Sequence, residues 1–181
     1  MVTIGGIAVP LFYVSPSQIN LQIPWELAGQ SQAAVVVTTG VGSSTAVTVN
    51  ISAAGPAIFT VNSSGTGQGA VVNVRGQTAA AATPVARGQY IEIYCLGLGA
   101  VSNRPSTGAA AVDASSPALV PPTVTIGGMQ VPSSFAGLAP GFVGIYQVNA
   151  LVPLSVTPGS ALSLSVSLNG AESQTVTIAV Q

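Results

Sequence analysis

The stretch Val2-Thr-Ile-Gly-Gly-Ile-Ala-Val-Pro10 returns later in the chain as Val124-Thr-Ile-Gly-Gly-Met-Gln-Val-Pro132. Likewise Gln18-Ile-Asn-Leu-Gln-Ile-Pro24 returns as Gln147-Val-Asn-Ala-Leu-Val-Pro153. Two copies at so long a period fit a pair of sandwich-like units and not a solenoid. Each copy runs into a hairpin. In the second copy, Leu162–Leu168 and Thr175–Val180 flank Asn169-Gly170, a pair that accepts positive φ at both turn positions. In the first, Ala33–Thr39 and Thr45–Ile51 flank Gly40-Val41-Gly42. The Pro closing each strand removes a donor where pairing should stop.

Alternating segments recur along the chain: Val2–Ile4, Ile19–Ile23, Ala33–Val37, Ala46–Ile51, Val71–Val74, Ile91–Cys95, Val124–Ile126, Gln147–Val152, Leu162–Leu168 and Val176–Val180. They are rich in Val, Ile and Thr and punctuated by Gly, Pro, Asn and Ser, which predicts strands. No dozen residues keep apolar positions at helical spacing. The Ala-rich run Thr78–Thr83 could make one helical turn between Gly76 and Pro84. The fold expected is all-β.

Charge narrows the chemistry. Charged residues are 4% of the 181, with a net charge of −1. The cations are Arg75, Arg87 and Arg104, the acids Glu26, Glu92, Asp113 and Glu172, and Lys and His are absent. Three scattered Arg cannot make the basic face that phosphate neutralisation needs, so no nucleic-acid partner is expected. Without imidazole, a Ser-His-Asp triad, a Cys-His nucleophile and a His-ligated metal are excluded within this chain. Glu26 and Glu92 are the available carboxylate pair for a glycosidase, but both read as solvated surface acids. Gly65-Thr-Gly-Gln-Gly69 has no following Lys and reads as a hairpin loop, not a phosphate cradle. The acids lack the spacing of a calcium loop. No cofactor, no metal and no enzymatic activity are expected.

Cys95 is the one cysteine, so no intrachain disulfide can form. Alternation in Tyr90-Ile-Glu-Ile-Tyr-Cys-Leu places it with Ile91 and Ile93 on one strand face, as a buried thiol. Arg87 precedes that strand and is placed to tie carbonyls or Glu92 at a sheet end. No apolar run approaches the roughly 18 residues of a membrane helix, so no membrane insertion is expected. Pro10 interrupts the apolar stretch Ile7–Val14 and no basic region precedes it, so the N-terminus does not read as a signal peptide. An exported protein would be represented here in mature or excised form.

Several longer motifs carry a resemblance. They are Thr-Ile-Gly-Gly followed by Tyr13-Val-Ser-Pro-Ser-Gln-Ile-Asn-Leu-Gln-Ile-Pro24, Pro56-Ala-Ile-Phe59, Ala86-Arg-Gly-Gln-Tyr90 with Gly97-Leu-Gly99, and Leu138-Ala-Pro-Gly-Phe-Val-Gly-Ile-Tyr-Gln-Val-Asn149. In this order they resemble the Solibacter-type uncharacterised C-terminal domain of secreted acidobacterial proteins, over essentially the whole chain. The resemblance implies two tandem Ig-like (IPT/TIG-like) β-sandwich units in an extracellular or cell-surface setting, and it carries over no catalytic residues. It also implies that the first unit lacks its opening strand, of the kind seen at Gly88–Gly99. The expected organisation is a first half over residues 1–55, a connecting hairpin segment over 56–83, and a second unit over 84–181 with a long exposed loop at 102–122. The middle segment Ala57–Val74 could fold back to complete the first half.

The function expected is a non-catalytic extracellular structural or adhesion module. Three readings stand side by side. A self-assembling surface filament would use strand donation into a groove beside Ile19, Leu21 and Ile23, favoured by near-zero net charge. A monomeric spacer or anchoring domain would have 57–74 close the first sandwich. A carbohydrate-binding module would stack a sugar on Tyr13 and Trp25 with Glu26 as hydrogen-bonding partner. Self-association is the partner expected first, and a glycan second.

Overall fold

Alternation of branched and small polar residues becomes antiparallel pairing throughout a computed structural model of the chain, which describes residues 1–113 and 115–181. The first repeat supplies β1 (Val2–Ile4), β2 (Ile7–Ala8), β3 (Leu11–Val14), β4 (Ile19–Leu21), β5 (Gln32–Thr39), β6 (Gly42–Ser43) and β7 (Val47–Asn50). The middle supplies β8 (Ala57–Ile58), β9 (Val71–Asn73) and β10 (Tyr90–Leu96). The second repeat supplies β11 (Thr123–Ile126), β12 (Met129–Leu138), β13 (Tyr146–Leu151), β14 (Gly159–Leu168), β15 (Ala171–Glu172) and β16 (Val176–Val180). Among the described residues the only helical element is a 3₁₀ turn at Trp25–Leu27. The fold is all-β and sandwich-like.

The chain divides into two compact units, Met1–Ala53 with Pro105–Ala110, and Ala54–Arg104 with Ala111–Gln181. In the first, β5 pairs with β1, β6 and β7, β2 joins β1, and β3 and β4 form a separate pair. Its core is Val2, Ile4, Val9, Leu27 and Ala33, with Ile7, Ile19, Leu21, Val35, Val37 and Ile51 packed against them. In the second, one path runs β15-β14-β11-β12-β13-β10-β8, with β16 on β14 and β9 on β10. Its strand β12 pairs with β11 through Met129–Pro132 and with β13 from Ser133 onward, with a bulge between Ser133 and Phe135 at this change of partner. A strand that switches partner at a bulge is a usual corner in sandwich folds.

The sequence repeat is a structural repeat down to single bonds. The first unit has the same bulge, between Leu11 and Tyr13, opposite Leu21 and Asn20. Gly5 N–H donates to Ala34 O at 2.9 Å, and Gly127 N–H to Ser163 O at 2.8 Å. After the hairpin, the backbone N–H of Val37 donates to Ser44 Oγ at 3.1 Å and that of Val166 to Ser173 Oγ at 3.0 Å. Asn169 and Gly170 both take positive φ, as the two-residue turn between Leu168 and Ala171 requires. The first hairpin turns on Gly40-Val41 alone, because Gly42 already pairs with Thr39.

Three expectations are corrected. Segment 56–83 neither stands as a connector nor completes the first half: Ala57–Ile58 and Val71–Asn73 both pair with β10, inside the second unit. The second unit thus begins near Ala54 and not at 84. Residues 102–122 are not one exposed loop, since Val101 bridges Ala118, Pro117 bridges Gly137 and Ser116 is buried, while Pro105–Ala110 belongs to the first unit. The Ala-rich run Thr78–Thr83 is not helical. Ala79 is buried and spends its N–H on Val71 O and its carbonyl on Ala179 N–H.

The repeated Gly-Gly turn has a steric reason. Gly127 sits at φ +56°, and a Cβ there would lie 2.7 Å from Val156 Cγ2; Gly5, at φ +57°, would meet Leu27 Cδ2 at 2.9 Å. We expect Gly127→Ala to destabilise the second unit by about 1–3 kcal/mol, read as a lowered urea midpoint, with Gly170→Ala, where no atom crowds the site, costing less.

Candidate assembly edge

The repeat makes the two units directly comparable. Strand β4 corresponds to β13, with Ile19, Leu21 and Ile23 in the places of Val148, Ala150 and Val152. In the second unit β13 lies between two strands: β12 on one side and β10 on the other, with Ile93 opposite Val148 and Ile91 opposite Ala150. The ladder continues past the strand ends, with Val152 N–H donating to Gln89 O at 2.9 Å and Gly88 N–H to Val152 O at 2.8 Å. In the first unit β4 pairs with β3 alone among the described residues. Gln22 N–H donates to Pro10 O at 3.1 Å and Gln18 O accepts from Ser15 N–H at 2.8 Å, so the even positions face β3. Successive residues of a strand turn their backbone groups to opposite sides. The N–H and C=O groups of Ile19, Leu21 and Ile23 therefore point to the open edge.

Side-chain burial follows the same difference. Val152 is 0% exposed and Ile23 is 58% exposed; Ala136 is 8% exposed and its counterpart Val14 is 62%. Ile19 and Leu21 are half-buried against the core of the first unit, whereas Val148 and Ala150 are fully buried. The open edge is thus apolar as well as unpaired.

One end of this edge is organised by a contact that the sequence pattern did not suggest. The backbone N–H of Trp25 donates to Thr107 Oγ1 at 3.2 Å, and the same hydroxyl donates to Glu26 Oε2 at 2.7 Å. Gly108 N–H donates to the side-chain oxygen of buried Gln22 at 2.7 Å. No periodicity links Thr107 to Trp25, and its only sequence signal is a Thr-Gly pair in a Ser/Ala/Pro stretch. Of the three residues proposed to hold a sugar, Trp25 is half-buried and Glu26 is engaged by Thr107 on the 3₁₀ turn, while exposed Tyr13 stands on β3 opposite Asn20.

The remaining polar groups have local duties. Tyr94 Oη donates to Glu92 Oε2 at 3.3 Å; burial and then the Glu92 charge hold the phenol above its ordinary range. Ser165 Oγ donates to Glu172 Oε1 at 2.8 Å, and Ser115 N–H to Asp113 Oδ1 at 2.8 Å; hydrogen bonding from the Ser115 hydroxyl and then from this N–H lowers the Asp113 carboxyl. Arg87 Nη1 donates to Leu154 O at 3.4 Å. Tyr146 Oη donates to Gly99 O. Among the described residues no three His, Cys, Asp or Glu cluster to hold a metal. The glycine loop 65–69 faces β16, with Gly67 O accepting from Thr177 N–H and Gly69 N–H donating to Thr177 O. A shallow depression of about 510 Å³ in the second unit is lined by Asn73, Arg75, Gln77, Gln89 and Gln181 among others, with no acid beside them. No helix is long and apolar enough to cross a membrane among the described residues. Comparison with protein-family models, with curated proteins and with solved structures finds no match.

Cys95 and Tyr146 sit opposite each other across β10 and β13. Cys95 is fully buried, and burial pushes its thiol from 9.0 up to about 12; Tyr146 is raised by the same cause. In the unfolded chain both ionise at lower pH than in the folded one. Above pH 9 the unfolded state therefore binds fewer protons, and stability falls as pH rises towards 12. With no His to titrate, unfolding free energy should be flat from about pH 6 to 8 and decline above about 9. Urea titrations of the wild type and Cys95→Val check this, the variant showing the shallower decline. Thr107→Val should lower the stability of the first unit by about 1–2 kcal/mol, followed by Trp25 fluorescence.

Proposed function

We propose that this chain is a non-catalytic extracellular structural or adhesion module that joins other polypeptides by strand addition at the open edge of β4. In this reading its units are Ig-like (IPT/TIG-like) sandwiches of the Solibacter-type kind, and the protein self-assembles at a surface. One observation carries the reading: among the described residues β4 has no strand where its repeat counterpart β13 has β10. An unpaired row of backbone donors and acceptors beside exposed apolar side chains templates pairing with another chain. Full burial of an Ile side chain contributes about 1.5–3 kcal/mol, so covering Ile23 and completing the burial of Ile19 and Leu21 supplies a driving force beyond the backbone bonds. Charge does not oppose association, since the net charge is −1.

The spacer reading needs residues 57–74 to close the first unit, and those residues are built into the second. A glycan platform keeps exposed Tyr13 and has one Glu26 oxygen already engaged by Thr107.

Light scattering with negative-stain microscopy in dilute neutral buffer tests the proposal. Filaments or discrete large oligomers are expected, and Ile23→Asp, a change at an exposed position, should abolish them; Ile19→Asp should do the same. A single species near 17.7 kDa would overturn self-assembly.

A further inference from the structure

The second unit is closed at two edges, and one segment does both. Besides adding β10 to β13, residues 54–96 line the outer edge of β16. Thr177 N–H donates to Gly67 O at 2.7 Å and Gly69 N–H to Thr177 O at 3.0 Å. Ala179 N–H donates to Ala79 O at 2.8 Å, Val85 N–H to Ala179 O at 3.0 Å, and Gln181 N–H to Val85 O at 2.9 Å. Pairing is parallel at Gln68–Thr177 and Val85–Val180, and antiparallel along β10–β13. Residues 54–96 thus form a two-pronged arm that closes two strand edges at once.

Among the described residues the first unit has the counterparts of both edges and of neither prong. Strand β7 corresponds to β16, with Val47 and Val49 in the places of Val176 and Ile178. Among the described residues β7 pairs with β5 alone. Val47 is 59% exposed where Val176 is 0%, and exposed Val49 stands where Ile178 is fully buried. Thr48, Asn50 and Ser52 occupy the places of Thr177, Ala179 and Gln181, whose backbone groups bond the arm in the second unit.

We propose that β4 and β7 form one bidentate docking surface for a further polypeptide arm of the 54–96 build. This rests on the strand-addition reading above and names the partner. Its chemistry is set by the template: small, nearly uncharged residues, an alternating branched strand running antiparallel to β4, and a glycine-bearing stretch running beside β7. In the β13 register, an Ile93-type residue faces Ile19 and an Ile91-type residue faces Leu21. The glycine is needed where Gly69 lies, because a Cβ there would stand 2.8 Å from Val176 Cγ2. The occupant is an arm additional to the one that closes the second unit, since a copy that lent its residues 54–96 would open its own β13 and β16.

The test joins a second copy of residues 54–123 ahead of Val2 of the full chain, reproducing the context of β11. A control carries Ile91→Asp and Ile93→Asp in the added copy only. Amide hydrogen exchange is followed in peptides spanning 17–24 and 46–52. Exchange in both should slow roughly 100-fold in the extended chain relative to the unextended one, and return in the control. Equal rates in the extended chain and its control would overturn the proposal. Slowing at 17–24 without slowing at 46–52 would overturn the two-pronged arm. Concentration-dependent protection of both peptides in the unextended chain would assign the edges to another copy. A monomeric unextended chain that gains protection on extension would refute self-assembly and leave this inference standing.

Discussion

The backbone hydrogen-bonding groups at the sheet edges govern this structure. A strand has two edges, and a buried N–H or C=O left without a partner costs about 1–3 kcal/mol. The second unit meets that demand with a single arm whose β10 prong continues one side of the fold and whose 67–87 stretch continues the other. Burial follows from this closure. Val148 and Ala150 on β13, Val152 just past its end, and Val176 and Ile178 on β16 are all fully buried, flanked by the arm. In the first unit the same positions carry similarly apolar residues that remain half-buried or exposed.

Because ion pairs are scarce in so weakly charged a chain, fit and backbone bonding carry the specificity that charge provides elsewhere. Glycine is one means of close approach: Gly69 lets the arm lie against Val176, and Gly127 lets its turn lie against Val156. Hydroxyls are the other. Ser44 and Ser173 bond backbone N–H groups after equivalent hairpins, and Thr107 serves Trp25 and Glu26 together. The acids that looked like candidate chemistry are used in the same manner, Glu92 by Tyr94 and Glu172 by Ser165.

The legible parts of the fold were those written locally. Alternation placed Ile91, Ile93 and Cys95 on one face, and all three are fully buried. Asn169-Gly170 announced its turn, and the repeated Thr-Ile-Gly-Gly announced two related units. A missing strand beside Ile19, Leu21 and Ile23 was expected only from the resemblance, since no local pattern in these residues tells a paired edge from an unpaired one. What escaped was non-local and made of small residues. Gly67, Ala79 and Val85 meet β16 through backbone atoms, which leave no periodic signal, so 56–83 could be read as completing the wrong unit. Thr107 escaped for the same reason, as did the open edge of β7, whose alternation Val47-Thr-Val-Asn50 looks the same whether its partner is present or not.

Soluble β proteins usually guard a free edge with Lys, Pro or an inward-pointing charge, so that it does not pair indiscriminately. Here β4 reads Ile19-Asn-Leu21 and β7 reads Val47-Thr-Val-Asn50, with no charge in either. The nearest guards are Pro16 and Pro24, which lie beyond the ends of β4 and limit its length without blocking its open side. Glu26 is the closest acid to β4, and it is held by Thr107 at the end of the strand. Edges of this composition are costly for a protein that keeps them free, and they suit one that fills them. The second unit makes the contrast within one molecule: its strands β13 and β16 are equally uncharged, and both are covered.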